Sequence, residues 1–447
     1  MKLDKKVVTI FSILITVVIC LAQSNLKRDL EYSIEALKED FNQMKQILEE
    51  NHANLYEFTD KVTFDKLFEQ QLMLIDHSME LNEFFKILTP ITARVGCGHT
   101  NVWMPGEYWN SEPDNLFPLM IKLIGESVVV FGNYNNDFSI PKGSILLKIN
   151  DVSIEDIYQE MKENYSADAF NEQFILSQIE RRFSLIYARR FGFFEKYSVT
   201  YSLPERKTIE TKDIEPANIQ DVRTVVFENF NHPELEFEII EENKIALMTI
   251  KTFIYYDQIQ FFKKFLKDSF EEINEKNISS LILDIRGNDG GDPFCAAALL
   301  SYLISDPVPY YAESYVKYSA LAEPIPLAEN RFTGDLFILI DGRCFSTNGH
   351  FCSLLKYHKI GEFVGSEGGS SYKCNAGKNT QFNLKNTKIM LYIGRSTYVA
   401  AVKNMDKTQG ILPDHYVEQT YNDFLNDRDS ILEFTLELIE KRGNKKK

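Results

Sequence analysis

The stretch Leu281-Ile-Leu-Asp-Ile-Arg-Gly-Asn-Asp-Gly-Gly-Asp292 decides the fold. Leu281 to Ile285 is a short, almost unbroken apolar run, the pattern of a strand covered on both faces. Gly287, Gly290 and Gly291 follow as a turn, and the spacing predicts a helix from Phe294 to Ile304. The same strand–turn–helix order returns downstream: Leu336-Phe-Ile-Leu-Ile340 is a second buried strand, and a turn and a helix through Tyr357 come after it. Upstream, Ile245 to Ile250 is strand-like and Asp257 to Asn277 an amphipathic helix. Strands alternating with helices predict an α/β domain with a mostly parallel sheet over residues 241–440.

Further upstream, residues 117–165 change character. Val128 to Phe131 and Ser144 to Ile149 read as strands, and Val152 to Met161 begins a helix. The run Pro141-Lys-Gly-Ser-Ile-Leu-Leu-Lys-Ile-Asn-Asp-Val-Ser153 resembles a stretch of PDZ domains. That resemblance implies a small module that binds extended peptides by strand addition. Residues 166–240 read as a connecting region. Residues 23–105 read as a helical N-terminal domain, with helices over Leu26–Asn51, Thr63–His77 and Leu81–Leu88 and with Pro90 as a stop signal.

Residues 1–22 have the form of a secretory signal peptide: Lys2, Lys5 and Lys6, an apolar run from Val7 to Leu21, then Ala22 before polar residues. The expected location is therefore outside the cytoplasm, with membrane contact only if this segment is retained or Cys20 carries a lipid. The chain has 447 residues, which calls for more than one domain, and a net charge of −16, which argues against a nucleic-acid partner. Cys97, Cys295, Cys344, Cys352 and Cys374 remain beyond the leader, too few and too scattered for a disulfide framework. No CxxC or HExxH spacing occurs, so neither a metal nor any other cofactor is expected.

Three segments can carry chemistry. The glycine turn of Asp284–Asp292 offers unblocked N–H groups at a helix start, a cradle for a phosphate or an oxyanion. Its lack of a following Gly-Lys-Ser/Thr excludes a P-loop. In Asp341-Gly-Arg-Cys-Phe-Ser-Thr-Asn-Gly349, Ser346 stands where a helix begins, as an N-cap or as a nucleophile. In Arg94-Val-Gly-Cys-Gly-His-Thr-Asn101, His99 could act as a base near neutral pH. Cys97 and Cys344, beside these residues in sequence, read as buried small hydrophobes. His350 is a remoter alternative base.

Taken together, with Gly410-Ile-Leu-Pro-Asp414 near the end, these segments and their order resemble the S41 family of serine peptidases, and in particular its tricorn-like branch with a His base. The resemblance implies a crotonase-like α/β core and an exported serine endopeptidase or tail-specific peptidase acting on peptides or unfolded protein. It implies Ser346 as nucleophile, His99 as general base, and an oxyanion hole from Thr347 with Gly290 or Gly291. Asp406 is the candidate to orient His99, with Glu367 as the alternative. Two departures stand out: Gly349 occupies the place of a Glu in the processing-protease branch, and Lys373 lies two residues beyond that branch's catalytic Lys. A different class of function, a peptide- or ligand-binding protein that keeps the fold without the chemistry, fits the same order of elements.

Overall fold

The central sheet has the strand order Leu235–Ile240, Ile245–Ile250, Ser280–Asp284, Asp335–Ile340, Glu362–Gly365, His415–Tyr416. The first pair is antiparallel and the remaining pairs are parallel. This computed structural model describes residues 30–445 apart from 110–114, 136, 204–207, 232–234 and 241–243, so the expected leader lies outside the described residues.

Both faces of the sheet are covered, which is why its strands read as continuous apolar runs. Leu281, Leu283, Leu336 and Ile338 point to one side and pack with the helices Ile259–Glu275, Pro293–Leu300 and Thr347–Tyr357. Ile282, Phe337, Leu339 and Val364 point to the other and meet Ile439 of the helix Ser430–Lys445. The mixed α/β architecture expected from the alternation is thus present.

A second, antiparallel sheet runs Leu119–Ile124, Ser127–Asn133, Ile145–Ile149, Tyr197–Leu203, Thr208–Ile214, packed on the helices Ile154–Glu163 and Glu172–Phe191. Its elements extend well past residue 165. The stretch read as a connecting region supplies two of its strands and its longest helix. Tyr197, Val199 and Tyr201 are buried at alternate positions, a period-2 signal that the sequence does carry. Thr208–Ile214 is exposed along most of its length and carries no such signal.

The N-terminal region is built on the helices Ile34–Asn51, Lys61–Met73 and Leu81–Arg94. The third helix runs through Pro90 instead of stopping before it. Proline removes the N–H that would reach the Lys86 carbonyl, and the Thr89 hydroxyl donates to that carbonyl at 3.4 Å. The helices are completed from far along the chain. The strand Asn101–Trp103 pairs with Met390–Ile393, and Leu384, Ile389, Leu391 and Ile393 enter the helical core. This pairing anchors the segment just after His99 to the C-terminal third of the chain.

Candidate active site

Ser346 follows the buried strand Asp335–Ile340 and precedes the helix Thr347–Tyr357. Its backbone has φ 57° and ψ −122°, and its side chain makes no capping hydrogen bond. A non-glycine residue at positive φ is strained, and such strain persists only where the surroundings over-determine it. Here the Ser346 N–H donates to Ser370 Oγ at 3.0 Å, and the next turn of helix is nailed to the glycine turn. The side-chain amide of Asn348, fully buried, donates to the carbonyls of Ile285 (3.2 Å) and Asn288 (3.1 Å). Asn288, also fully buried, donates to the Ile250 carbonyl at 3.0 Å. The result is a serine whose hydroxyl is turned outward from the helix start.

That hydroxyl meets His99. Nε2 of His99 lies 3.1 Å from Ser346 Oγ, a hydrogen bond between residues 247 positions apart. The imidazole ring stacks on Phe345 at 4.6 Å between centroids and 23° between planes, and Phe345 stacks on Phe174 at 4.3 Å. A Cβ at Gly98 would fall 2.6 Å from Phe345 Cζ, so the residue before the histidine must be glycine for this stack to close. Although the ring is partly solvent-accessible, protein surrounds it closely enough that burial lowers its pKa to about 4. The ring is therefore neutral at neutral pH, the state a general base requires.

Nδ1 of His99 is buried without a hydrogen bond, as is Oδ2 of Asp168. A ring nitrogen of His99, a carboxylate oxygen of Asp168 and the Cys97 sulfur all lie within 4.8 Å of one another. The other oxygen of Asp168 accepts the Gly98 N–H at 2.8 Å. Burial raises the Asp168 carboxyl to about pKa 7, and its hydrogen bond from Gly98 opposes that rise. Asp168 was not legible in the sequence as a site residue. It sits in a loop where Ala169 and Phe170 have positive φ, and that loop is tied to the histidine turn by the Ala169 N–H on the Gly96 carbonyl at 3.0 Å.

Asp406, the sequence candidate for this role, is not beside His99. Its side chain is exposed, and its Oδ1 accepts from the Thr408 N–H and hydroxyl at 2.8 and 2.7 Å, closing a local turn. Glu367 instead joins two loops, accepting from Asn171 at 3.1 Å and from the Gly410 N–H at 2.8 Å. Lys373 is committed to an ion pair with Glu57, which Lys407 shares. His350 is buried among aromatic rings, with its pKa lowered to about 3 by burial. Gly349 is explained by its neighbour: a Cβ there would lie 2.1 Å from Ser370 Oγ, the atom that holds the Ser346 N–H.

The glycine turn faces the serine. Gly290 has φ +98°, and a Cβ on it would lie 2.9 Å from the Thr347 nitrogen and 3.0 Å from Ser346 Cβ. Its own N–H donates to Asn288 Oδ1 at 2.9 Å. Among the described residues, no hydrogen bond occupies the N–H of Gly291 or Thr347, while the Thr347 hydroxyl donates to the Gly291 carbonyl at 2.7 Å. Of the two glycines, Gly291 is thus the one with a free donor. Asp289 locks the turn in place. Its Oδ2 accepts from Arg181 at 2.9 Å and from Arg343 at 2.7 Å, joining the helix Glu172–Phe191 to both turns. The thiols of Cys97 and Cys344 are buried and pushed up in pKa by burial, Cys97 to about 12, which makes neither a nucleophile.

Comparison with solved structures finds the same fold in CPAF. The structure of mature CPAF complexed with lactacystin aligns with TM-score 0.65 at 12% identity, over 91% of this chain and 99% of that one. Mature CPAF aligns with TM-score 0.64 at 13% identity, over 92% and 98%. A search of curated protein sequences finds no match. The family model described as Peptidase family S41 matches residues 244–417, the segment that carries the glycine turn, Ser346 and the terminal Gly-Ile-Leu-Pro-Asp. Over residues 244–417 the chain thus matches peptidase family S41, a family of serine-type peptidases.

Proposed function

We propose that the chain hydrolyses peptide bonds through an acyl-enzyme on Ser346, with His99 as general base and Asp168 as the residue that orients it. The observation that carries this reading is the 3.1 Å hydrogen bond between His99 Nε2 and Ser346 Oγ at a strained strand-to-helix turn. In acylation Nε2 accepts the serine proton as Oγ attacks the carbonyl carbon, and then passes it to the leaving amine; water deacylates the serine by the same route. The Thr347 and Gly291 amides, with Gly290 shaping the turn, would receive the developing oxyanion. Asp168 would hold the Nδ1–H tautomer and balance the imidazolium.

The substrate class is peptide or unfolded protein outside the cytoplasm, with the sheet around Leu119–Ile214 serving as a PDZ-like module and the central sheet as a crotonase-like core. Export rests on the form of residues 1–22. Among the described residues, no helix is long and apolar enough to cross a membrane.

The test is labelling of the purified mature protein by a serine-directed fluorophosphonate, alongside Ser346→Ala and His99→Ala. Labelling that needs both residues is expected. A wild type that stays unlabelled, with and without added unstructured peptide, would overturn the reading in favour of a peptide-binding protein.

A further inference from the structure

Cys97, His99 and Asp168 form a mixed sulfur, nitrogen and oxygen set whose potential ligand atoms lie within 4.8 Å of one another. Two of these groups have unsatisfied donor or acceptor capacity. Asp168 is 8% exposed, yet its Oδ2 has no partner, and neither has the buried Nδ1 of His99. Because Nε2 is engaged with Ser346, Nδ1 is the ring nitrogen left for another ligand. The surroundings fix the other ends of the set. Gly98 N–H holds Asp168 Oδ1 at 2.8 Å, and the Thr100 hydroxyl donates to the Cys97 sulfur at 3.4 Å. Partners of this kind orient metal ligands and stabilise their charged forms.

We propose that this set is an inhibitory zinc site built into the catalytic apparatus. Zinc takes Cys, His and carboxylate ligands at about 2.0–2.3 Å in tetrahedral geometry. The three atoms lie within 4.8 Å of one another, wider than ligands on a single zinc, so binding would draw them together. A thiolate with an imidazole selects zinc over the hard cations calcium and magnesium. Charge favours the ion as well: one thiolate and one carboxylate neutralise a divalent cation in a largely buried position. The Cys97 sulfur gives up its proton to solvent on binding, as does Asp168 if it carries one.

The consequence for His99 follows from its tautomer. Zinc on Nδ1 uses that nitrogen's lone pair, so the ring proton must sit on Nε2. Nε2 then donates toward Ser346 and cannot accept its proton. Metal binding stands on the geometry alone, whereas inhibition rests on the proposed role of His99.

The probe is cobalt(II) as a spectroscopic substitute for zinc, added to metal-free mature protein and to the Ser346→Ala variant. One equivalent is expected to give a thiolate-to-cobalt charge-transfer band in both proteins. The band should disappear in Cys97→Ala and Cys97→Ser and persist in Cys295→Ala and Cys352→Ala, while Asp168→Asn should weaken zinc affinity at least tenfold in competition with a chromophoric chelator. Stoichiometric zinc should slow fluorophosphonate labelling of the wild type at least tenfold, with recovery on chelation. No charge-transfer band in the wild type, or a band that survives loss of Cys97, would overturn the site. A cobalt band in a protein that never labels would leave the site standing and sink the peptidase reading instead. Labelling that ignores bound zinc would overturn the inhibitory role.

Discussion

The ring of His99 lies against that of Phe345, the residue immediately before the serine it faces, with centroids 4.6 Å apart. Phe345 also belongs to the hydrophobic core of the antiparallel sheet and stacks on Phe174. One side chain therefore joins the histidine, the serine turn and the antiparallel sheet. Phe345→Leu should keep the fold while freeing the imidazole to tilt. The expected loss in labelling rate is about 10–100-fold, since ångström-scale misplacement of a reacting group costs that much. A thermal melt beside the rate measurement separates the two effects: a rate unchanged in a folded variant would show that the stack does not position the base.

Asp168→Asn preserves an acceptor for the Gly98 N–H but removes the negative charge beside His99. If Asp168 orients the base, labelling should fall by up to about 10⁴-fold, the loss seen when the acid of a serine triad is neutralised. Asp406→Ala, an exposed residue engaged with Thr408, should leave the rate within about twofold, because surface changes of this kind are close to neutral. Equal losses in the two variants would refute the assignment.

The pH dependence follows from the directions of two shifts. Burial lowers His99 to about 4, so protonation of the base should not limit the reaction until the pH falls toward that value. Burial raises Asp168 to about 7, so its carboxylate forms only as the pH rises through neutrality. The labelling rate should climb through pH 7, and Asp168→Asn should lose that limb while keeping the one near 4. Stability carries the opposite sign for the acid. Between about pH 4 and 7 the folded state binds a proton at Asp168 that the unfolded state has lost, so this group's contribution falls as pH rises. The melting temperature of Asp168→Asn relative to wild type should therefore rise over that interval; a flat difference would refute the raised pKa.

Asp289 accepts from Arg181 and Arg343 at once, and the two guanidinium groups hold its carboxyl below the usual range against the cost of burial. Removing it leaves two poorly exposed cations facing each other. Asp289→Ala should cost about 3–5 kcal/mol, the expected penalty for breaking a buried pair from one side. Urea unfolding measures it. A loss under 1 kcal/mol would mean that the clamp is relaxed by solvent.

The α/β core was readable because a strand covered on both faces must be apolar throughout, and the runs from Leu281, Leu336 and Ile245 satisfy that rule locally. Helix starts and the strand-to-helix turns were equally local. The strand Thr208–Ile214 was not readable: an exposed edge strand needs no hydrophobic alternation. Pro90 misled because a proline's lost hydrogen bond can be made good by a neighbouring hydroxyl.

The candidate site divides in the same way. Ser346, His99 and the glycine turn stood out by residue type and local spacing, and the sequence by itself determined which turns could hold them. It could not determine that Asp168, rather than Asp406, lies beside His99. Nothing local distinguishes one aspartate from another, and the choice is made by the Gly98 N–H and by the loop of positive-φ residues that brings Asp168 into the histidine turn. The convergence of Cys97, His99 and Asp168 has the same origin. Burial and the directional hydrogen bonds of a folded chain bring together groups that are distant in sequence, and only the tertiary structure decides which of them meet.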